Sequence, residues 1–210
     1  GGTDAYGMYY QWGRKDPFYW GTKTSTSATP FDEVKELTVV NPAYAALTWS
    51  LAKAAVTPEA AAANPMTFYN NTVGTGSNWL AKPSAKLWGE AKTLNDPCPP
   101  GWKVPGAEDF AEIERIGVST PYYITIRCNS TQTAKIPLGG TFYEGRYDRN
   151  GSLGRLYTNA PYYLHWGDST GVFHDVACTS ILFDTSNYPP FVNTTDFYRY
   201  AANPVRCIRE

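Results

Sequence analysis

The run Asn95, Asp96, Pro97, Cys98, Pro99, Pro100, Gly101, Trp102, Lys103, Val104, Pro105 restricts the chain more strongly than any other stretch. Proline fixes its own φ and biases the residue before it towards extended backbone. Cys98 has proline on both sides, so it stands on a backbone with few conformations open to it. Gly101 then permits a turn that delivers Trp102. The run reads as a rigid, pre-ordered turn that presents one sulfur and buries one tryptophan. Disulfide geometry tolerates little strain, and such a platform suits it.

Three more cysteines follow, Cys128, Cys178 and Cys207, and none of the four lies within a few residues of another. Zinc-ribbon and redox C-x-x-C spacings are therefore absent. Four widely spaced cysteines permit two disulfides in any of three pairings, and equally permit four buried free thiols in a reducing compartment. Spacing alone leaves those alternatives open.

A chain of 210 residues can bury a real core without a metal, as one large domain or two small ones. The formal net charge of -1 and a charged fraction of 18% provide no basic footprint for nucleic acid. They provide no polybasic surface for anionic lipid either. No apolar run approaches the roughly 20 residues of a membrane helix. The Gly1-Gly2 start carries no signal peptide, so any export signal or anchor is expected outside this sequence. Aromatic residues make up 15% of the chain, with 16 Tyr and 7 Trp, which suits strand faces and hydrogen-bonding binding loops alike.

Residues 6–12 read as an aromatic strand, and residues 13–17 as its turn-rich exit. Residues 22–29 are a Ser/Thr-rich loop, and residues 31–40 are ambiguous between a helical turn and a strand. The most helix-prone region is 42–63, with Thr57 as N-cap, Pro58 in the first helical position and Asn64-Pro65 as the stop. Its alanines at 60–63 offer little bulk, so it reads as peripheral. Residues 66–70 form a short strand, and a Gly/Ser/Asn loop at 71–78 leads to Trp79. Ala107, Phe110, Ile113 and Ile116 recur at helical spacing, with Glu108 and Asp109 in the first turn and Gly117 as the stop, which predicts a second, central helix. Strands are expected at 122–127, 156–166, 172–178, 181–183 and 204–209. Two early helices and many late strands predict an α+β domain.

The 95–105 run resembles the Fibrobacter succinogenes major paralogous domain, common in Bacteroidetes fimbrillin-like proteins and other surface lipoproteins. That family's pattern is a proline-flanked cysteine, Gly-Trp, a basic residue, Val-Pro and a helix. Tyr9, Tyr10, Gln11, Trp12, Gly13, Arg14, Lys15, Asp16, Pro17 and Phe18 are similar to its opening strand. Gly140, Gly145, Arg146, Asp148, Asn150 and Gly151 match its glycine-rich arginine segment, and Val205, Arg206, Cys207, Ile208 and Arg209 its closing strand. The resemblance implies one C-type-lectin-like α+β domain over 1–210, with two main helices, a mixed or antiparallel sheet, long loops and paired first and last strands. Residues at about 22–80 have no counterpart and read as an insertion. It also implies a Cys98–Cys207 bond, which leaves Cys128 and Cys178 as the second pair. Location follows as export to the cell surface or outer membrane, in a fimbrium or another adhesive structure, with membrane contact only through an anchor outside this sequence.

Catalytic chemistry finds little footing. His165 and His174 could pair with Asp168 or Asp175, but no Ser lies in a nucleophile-elbow context, and a structural or surface role is the better reading of both. Formylglycine-generating enzymes, of related fold, use a cysteine pair near the carboxyl end, whereas Cys178 and Cys207 are far apart here. The sugar motifs of calcium-dependent lectins are absent. Asp148, Asn150 and Gly151 place oxygen ligands at alternate positions, yet Arg149 intervenes and an Asn-Gly turn explains them better. No catalytic residue, metal or cofactor is expected. The candidate ligand-binding residues are aromatics on polar loops: Trp20, Trp49, Trp79, Trp166 and Tyr188, which could stack on sugar faces. The expected function is a non-enzymatic adhesion or binding module whose partners are other fimbrial or surface subunits, with a glycan receptor as the rival.

Overall fold

The computed structural model describes residues 7–19, 50–70, 78–82, 84, 86–119, 123–143, 146–148, 153–162, 177–184 and 192–210. Alternation of buried and half-buried residues along β1 (Met8–Gln11) puts Tyr9 and Gln11 inside. Trp12 and Gly13 then turn the chain, at a left-handed Gly13 (φ 86°) whose added Cβ would lie 2.7 Å from Leu87 Cδ1. β1 pairs antiparallel with β2 (Phe18–Tyr19) on one side and with β14 (Ala202–Pro204) on the other. β9 (Thr141–Tyr143) and β10 (Arg146–Asp148) complete a sheet in the order β10-β9-β14-β1-β2.

The start and end of the chain therefore meet in one sheet, but the expected closing strand at 204–209 is divided. Pro204 lacks an N–H and ends β14. The chain then passes Cys207 into β15 (Ile208–Arg209), which pairs with β5 (Trp102–Lys103) as a separate ribbon.

Two three-stranded antiparallel sheets form most of the rest. β6 (Glu114–Ser119), β7 (Tyr123–Arg127) and β8 (Thr133–Pro137) are consecutive neighbours. So are β11 (Leu153–Tyr162), β12 (Ala177–Asp184) and β13 (Val192–Tyr198). β11 separates two cores, because successive strand side chains point to opposite faces. Leu156 joins an aliphatic cluster with Phe110, Ile124, Ile126, Ile136, Leu138 and Ile181. Tyr157 joins an aromatic cluster with Trp12, Tyr69, Trp79, Trp88, Cys98 and Val104.

The fold class expected from sequence is overturned. Among the described residues the structure is mainly strand, in small sheets that are antiparallel apart from one short parallel pair, and the two main helices of a lectin-like α+β domain are not found there. Residues 108–110 make a single 3₁₀ turn, and β6 takes up residues 114–119 of the expected central helix and its stop. A helix of about ten residues is marginal without an apolar face to bury, and here Phe110 is buried while Ile116 is left 41% exposed. The strand instead gains a ladder against β7, broken by one register shift. Gly117 sits in the strand at the register shift after Arg115, without the left-handed backbone of a helix cap.

Of the helix-prone region 42–63, residues 42–49 lie outside the described residues, and within 50–63 the helix is α1 (Pro58–Ala62), five residues long. Its local signals hold: Thr57 Oγ1 accepts from the Ala60 N–H at 3.2 Å, and Pro58 opens the helix. Upstream, residues 50–52 form β3 (Ser50–Ala52), parallel to β4 (Thr67–Tyr69), the strand expected at 66–70. The helix, expected to be peripheral, packs into the core together with the segments that follow it. Ala61, Phe68, Tyr69, Trp79 and Leu80 are all core residues, and Ala61 packs there because a small side chain lets the helix come close. The expected loop at 22–29, the 31–40 segment, residues 71–77 and the Asn150-Gly151 turn lie outside the described residues.

Candidate functional site

Prolines at 97, 99 and 100 strip three N–H groups from the cysteine turn while its carbonyls still need donors. Lys92 meets that need. Its Nζ donates to the Cys98 carbonyl at 2.6 Å and the Trp102 carbonyl at 2.8 Å, and lies 2.9 Å from Asp96 Oδ1. Asp96 is buried and accepts in turn from the Cys98 N–H at 2.8 Å and the Val104 N–H at 3.0 Å. The Cys98–Cys207 disulfide, with Cα atoms 5.8 Å apart, ties this knot to the end of the chain.

The ribbon of β5 and β15 grows out of that base. A turn closes from the Trp102 N–H to the Pro99 carbonyl at 3.0 Å, with Gly101 at φ 77°. Lys103 faces Ile208 and Trp102 faces Arg209 across the ribbon. The packed pair is half-buried, whereas the Trp102–Arg209 pair is exposed. Trp102 was expected to be the buried tryptophan of the run, yet it is 44% exposed. The indole that does fill the space beneath is Trp88, whose Nε1 donates to the Asn95 carbonyl at 2.9 Å.

The other described tryptophans are all satisfied inside. Trp12 Nε1 donates to the Thr158 carbonyl at 2.9 Å, and Trp79 Nε1 to the Trp12 carbonyl at 2.8 Å. Trp79, a candidate ligand residue from the sequence, is 1% exposed and belongs to the core, packed in one cluster with Trp12. Among the described residues, neither Trp102 Nε1 nor the Arg209 guanidinium has a hydrogen bond or ion pair.

Buried charge serves the fold. Arg14 donates to Gln11 Oε1 at 3.0 Å and to the Thr67 carbonyl at 2.8 Å, among the rings of Phe18, Tyr69 and Trp79. Burial pulls its guanidinium below the ordinary value, and Asp16 at 3.7 Å opposes that pull. Arg199 lies 4.2 Å over the Trp12 ring and donates to the Ser84 carbonyl at 3.0 Å. Both cations point at the chain's own carbonyls and aromatic faces.

The second disulfide implied by the resemblance is not formed, and Cys128 is a free, half-buried thiol. Cys128 follows β7 and packs against the aliphatic cluster. Cys178 belongs to β12 in a different sheet, its backbone paired with Pro161 and Phe197. Trp20, Trp49, Trp166, Tyr188, His165 and His174 lie outside the described residues. Sequence reasoning missed Trp102 and Arg209 as surface groups, since a two-residue ribbon has no periodicity to read.

Among the described residues, no three His, Cys, Asp or Glu side chains are grouped to hold a metal, and no helix is long and apolar enough to cross a membrane. No protein-family profile, curated protein or solved structure matches the chain.

Proposed function

We propose that the chain is a non-enzymatic adhesion or binding module of an exported bacterial envelope protein, at the cell surface or in a fimbrium. The observation that carries this reading is the ribbon. Trp102 and Arg209 face solvent with their side-chain polar groups unpaired, on a base locked by a disulfide and by the Lys92–Asp96 knot. A pre-ordered surface loses little entropy on binding, which is what a recognition face needs. Export is supported by the Cys98–Cys207 bond, since such bonds persist in oxidising compartments. The resemblance of the cysteine segments to surface-lipoprotein domains supports the same location.

Beads carrying the purified protein, passed under flow over mucin-coated glass and over glass carrying the same protein, test the function. Retention above bare beads on either surface, reduced by Trp102→Ala, is the expected result. Retention on neither surface overturns the adhesion reading. Non-reducing mass spectrometry tests export separately: a Cys98–Cys207 cross-linked peptide is expected, and free alkylation of both cysteines removes the argument.

A further inference from the structure

We infer that the Trp102–Arg209 face of the ribbon takes a carboxylated saccharide, a hexuronate or a related acidic sugar. The inference rests on the binding-module reading and names the ligand class for its site. Three of the four described tryptophans have their indole N–H bound to a backbone carbonyl. Trp102 alone among the described ones keeps both a half-exposed ring and an unbound N–H. Directly across the ribbon stands an arginine with no partner among the described residues. Elsewhere on the surface Arg127 is paired with Glu114.

Those two open groups ask for complementary features in one ligand. An indole face stacks on the apolar C–H face of a pyranose, and its N–H donates to a hydroxyl. The planar guanidinium fork fits a carboxylate in bidentate fashion. A neutral sugar would use the ring and leave Arg209 idle, whereas an acidic sugar uses both. Glu210 is the nearest anion along the chain. Its N–H continues the ribbon to the Gly101 carbonyl, so strand alternation directs its carboxylate to the face opposite Arg209. A peptide added as a further strand fits less well. Each ribbon strand is two residues long and already paired on one edge, which offers too short a ladder for β-strand addition.

Calorimetric titration of the purified protein with a hexuronate oligosaccharide, a sialylated trisaccharide and a neutral glucose oligosaccharide tests the inference and separates the two acidic sources. At least one acidic sugar is expected to bind about tenfold more tightly than the neutral one, with that advantage shrinking at high salt. Trp102→Ala is expected to weaken acidic binding by about tenfold. Arg209→Gln should erase the acidic preference while leaving the weak neutral binding in place. An unchanged melting temperature and an intact Cys98–Cys207 bond in both variants keep a folding defect from imitating the result.

Absence of acidic-sugar binding, or equal binding by both variants, overturns the inference. If beads are retained on mucin or on the same protein while neither acidic sugar binds or competes, this ligand assignment falls and the adhesion reading stands. If acidic sugars bind through Trp102 and Arg209 but beads are not retained, the site stands and adhesion falls.

Discussion

On one side of β11, Tyr157 meets the edge of Trp88 at a centroid distance of 6.1 Å, and Trp88 tilts against Trp12 at 5.7 Å. On the other side, Leu156 meets Ile124, Ile126, Ile136 and Leu138. The aliphatic core draws mostly on one continuous stretch of chain, 110–138, folded as successive hairpins. The aromatic core draws on Trp12 just after β1, α1, β4, residues 79–80 and 87–88, the cysteine turn and β11. Polar side chains join those distant parts. Gln11 Nε2 donates to the carbonyls of Tyr69 and Tyr200, which lie 58 and 189 residues away. Apolar packing alone suffices where neighbours in sequence are neighbours in space. Where so many separate segments converge, their loop carbonyls are buried with them, and buried arginine and glutamine must supply the donors.

The largest test of this contrast is removal of the disulfide, which belongs to the aromatic side. Closing 109 residues of chain is worth about 4–5 kcal/mol by loop-closure entropy. Cys98→Ser with Cys207→Ser is expected to lower urea stability by that amount, and an unchanged midpoint would show that the bond adds nothing to the knot beneath it. Arg14→Ala comes next. It leaves the Thr67 carbonyl without its donor and empties the space among three rings, at a cost of roughly 3–4 kcal/mol. Arg14→Lys should recover only part of that loss, since one ammonium cannot reproduce the planar fork. Full recovery would reduce the site to a simple charge.

In the aliphatic core, Ile124→Ala is expected to cost about 3 kcal/mol by cavity formation. Combined with Arg14→Ala, the two losses should add to within about 0.5 kcal/mol if β11 insulates the cores. A larger coupling in the double-mutant cycle breaks the two-core description. The smallest effect is at the helix cap. Thr57→Ala removes the bond to the Ala60 N–H and should cost about 1 kcal/mol, read as a small shift in thermal midpoint.

Much local structure was legible in the residues themselves. β1, the turn after it, the Thr57-Pro58 helix start, β4 and β7 all lie where alternation, capping and turn residues predict them. The failures have a common source. Ala107, Phe110, Ile113 and Ile116 carry helical spacing, yet a strand ladder to β7 outweighs a short helix, and periodicity contains no knowledge of that partner. Ala61 looked too small for a core and is buried because smallness permits close packing. Trp102 looked like the tryptophan to bury, and Trp88 holds that place instead.

The candidate site was legible only in its foundation. The rigid proline-flanked turn at Cys98 follows from covalent geometry, because proline restricts backbone torsions whatever surrounds it. That same turn ends on Trp102, and whether its ring faces core or solvent depends on which strand lies opposite and on which indole has already filled the space below. β15 brings Arg209 across from Trp102, and Lys92 and Asp96 hold the base. Local torsions belong to the sequence alone. Exposure, pairing and the choice between core and surface are properties of contacts made across the chain, and only the tertiary structure decides them.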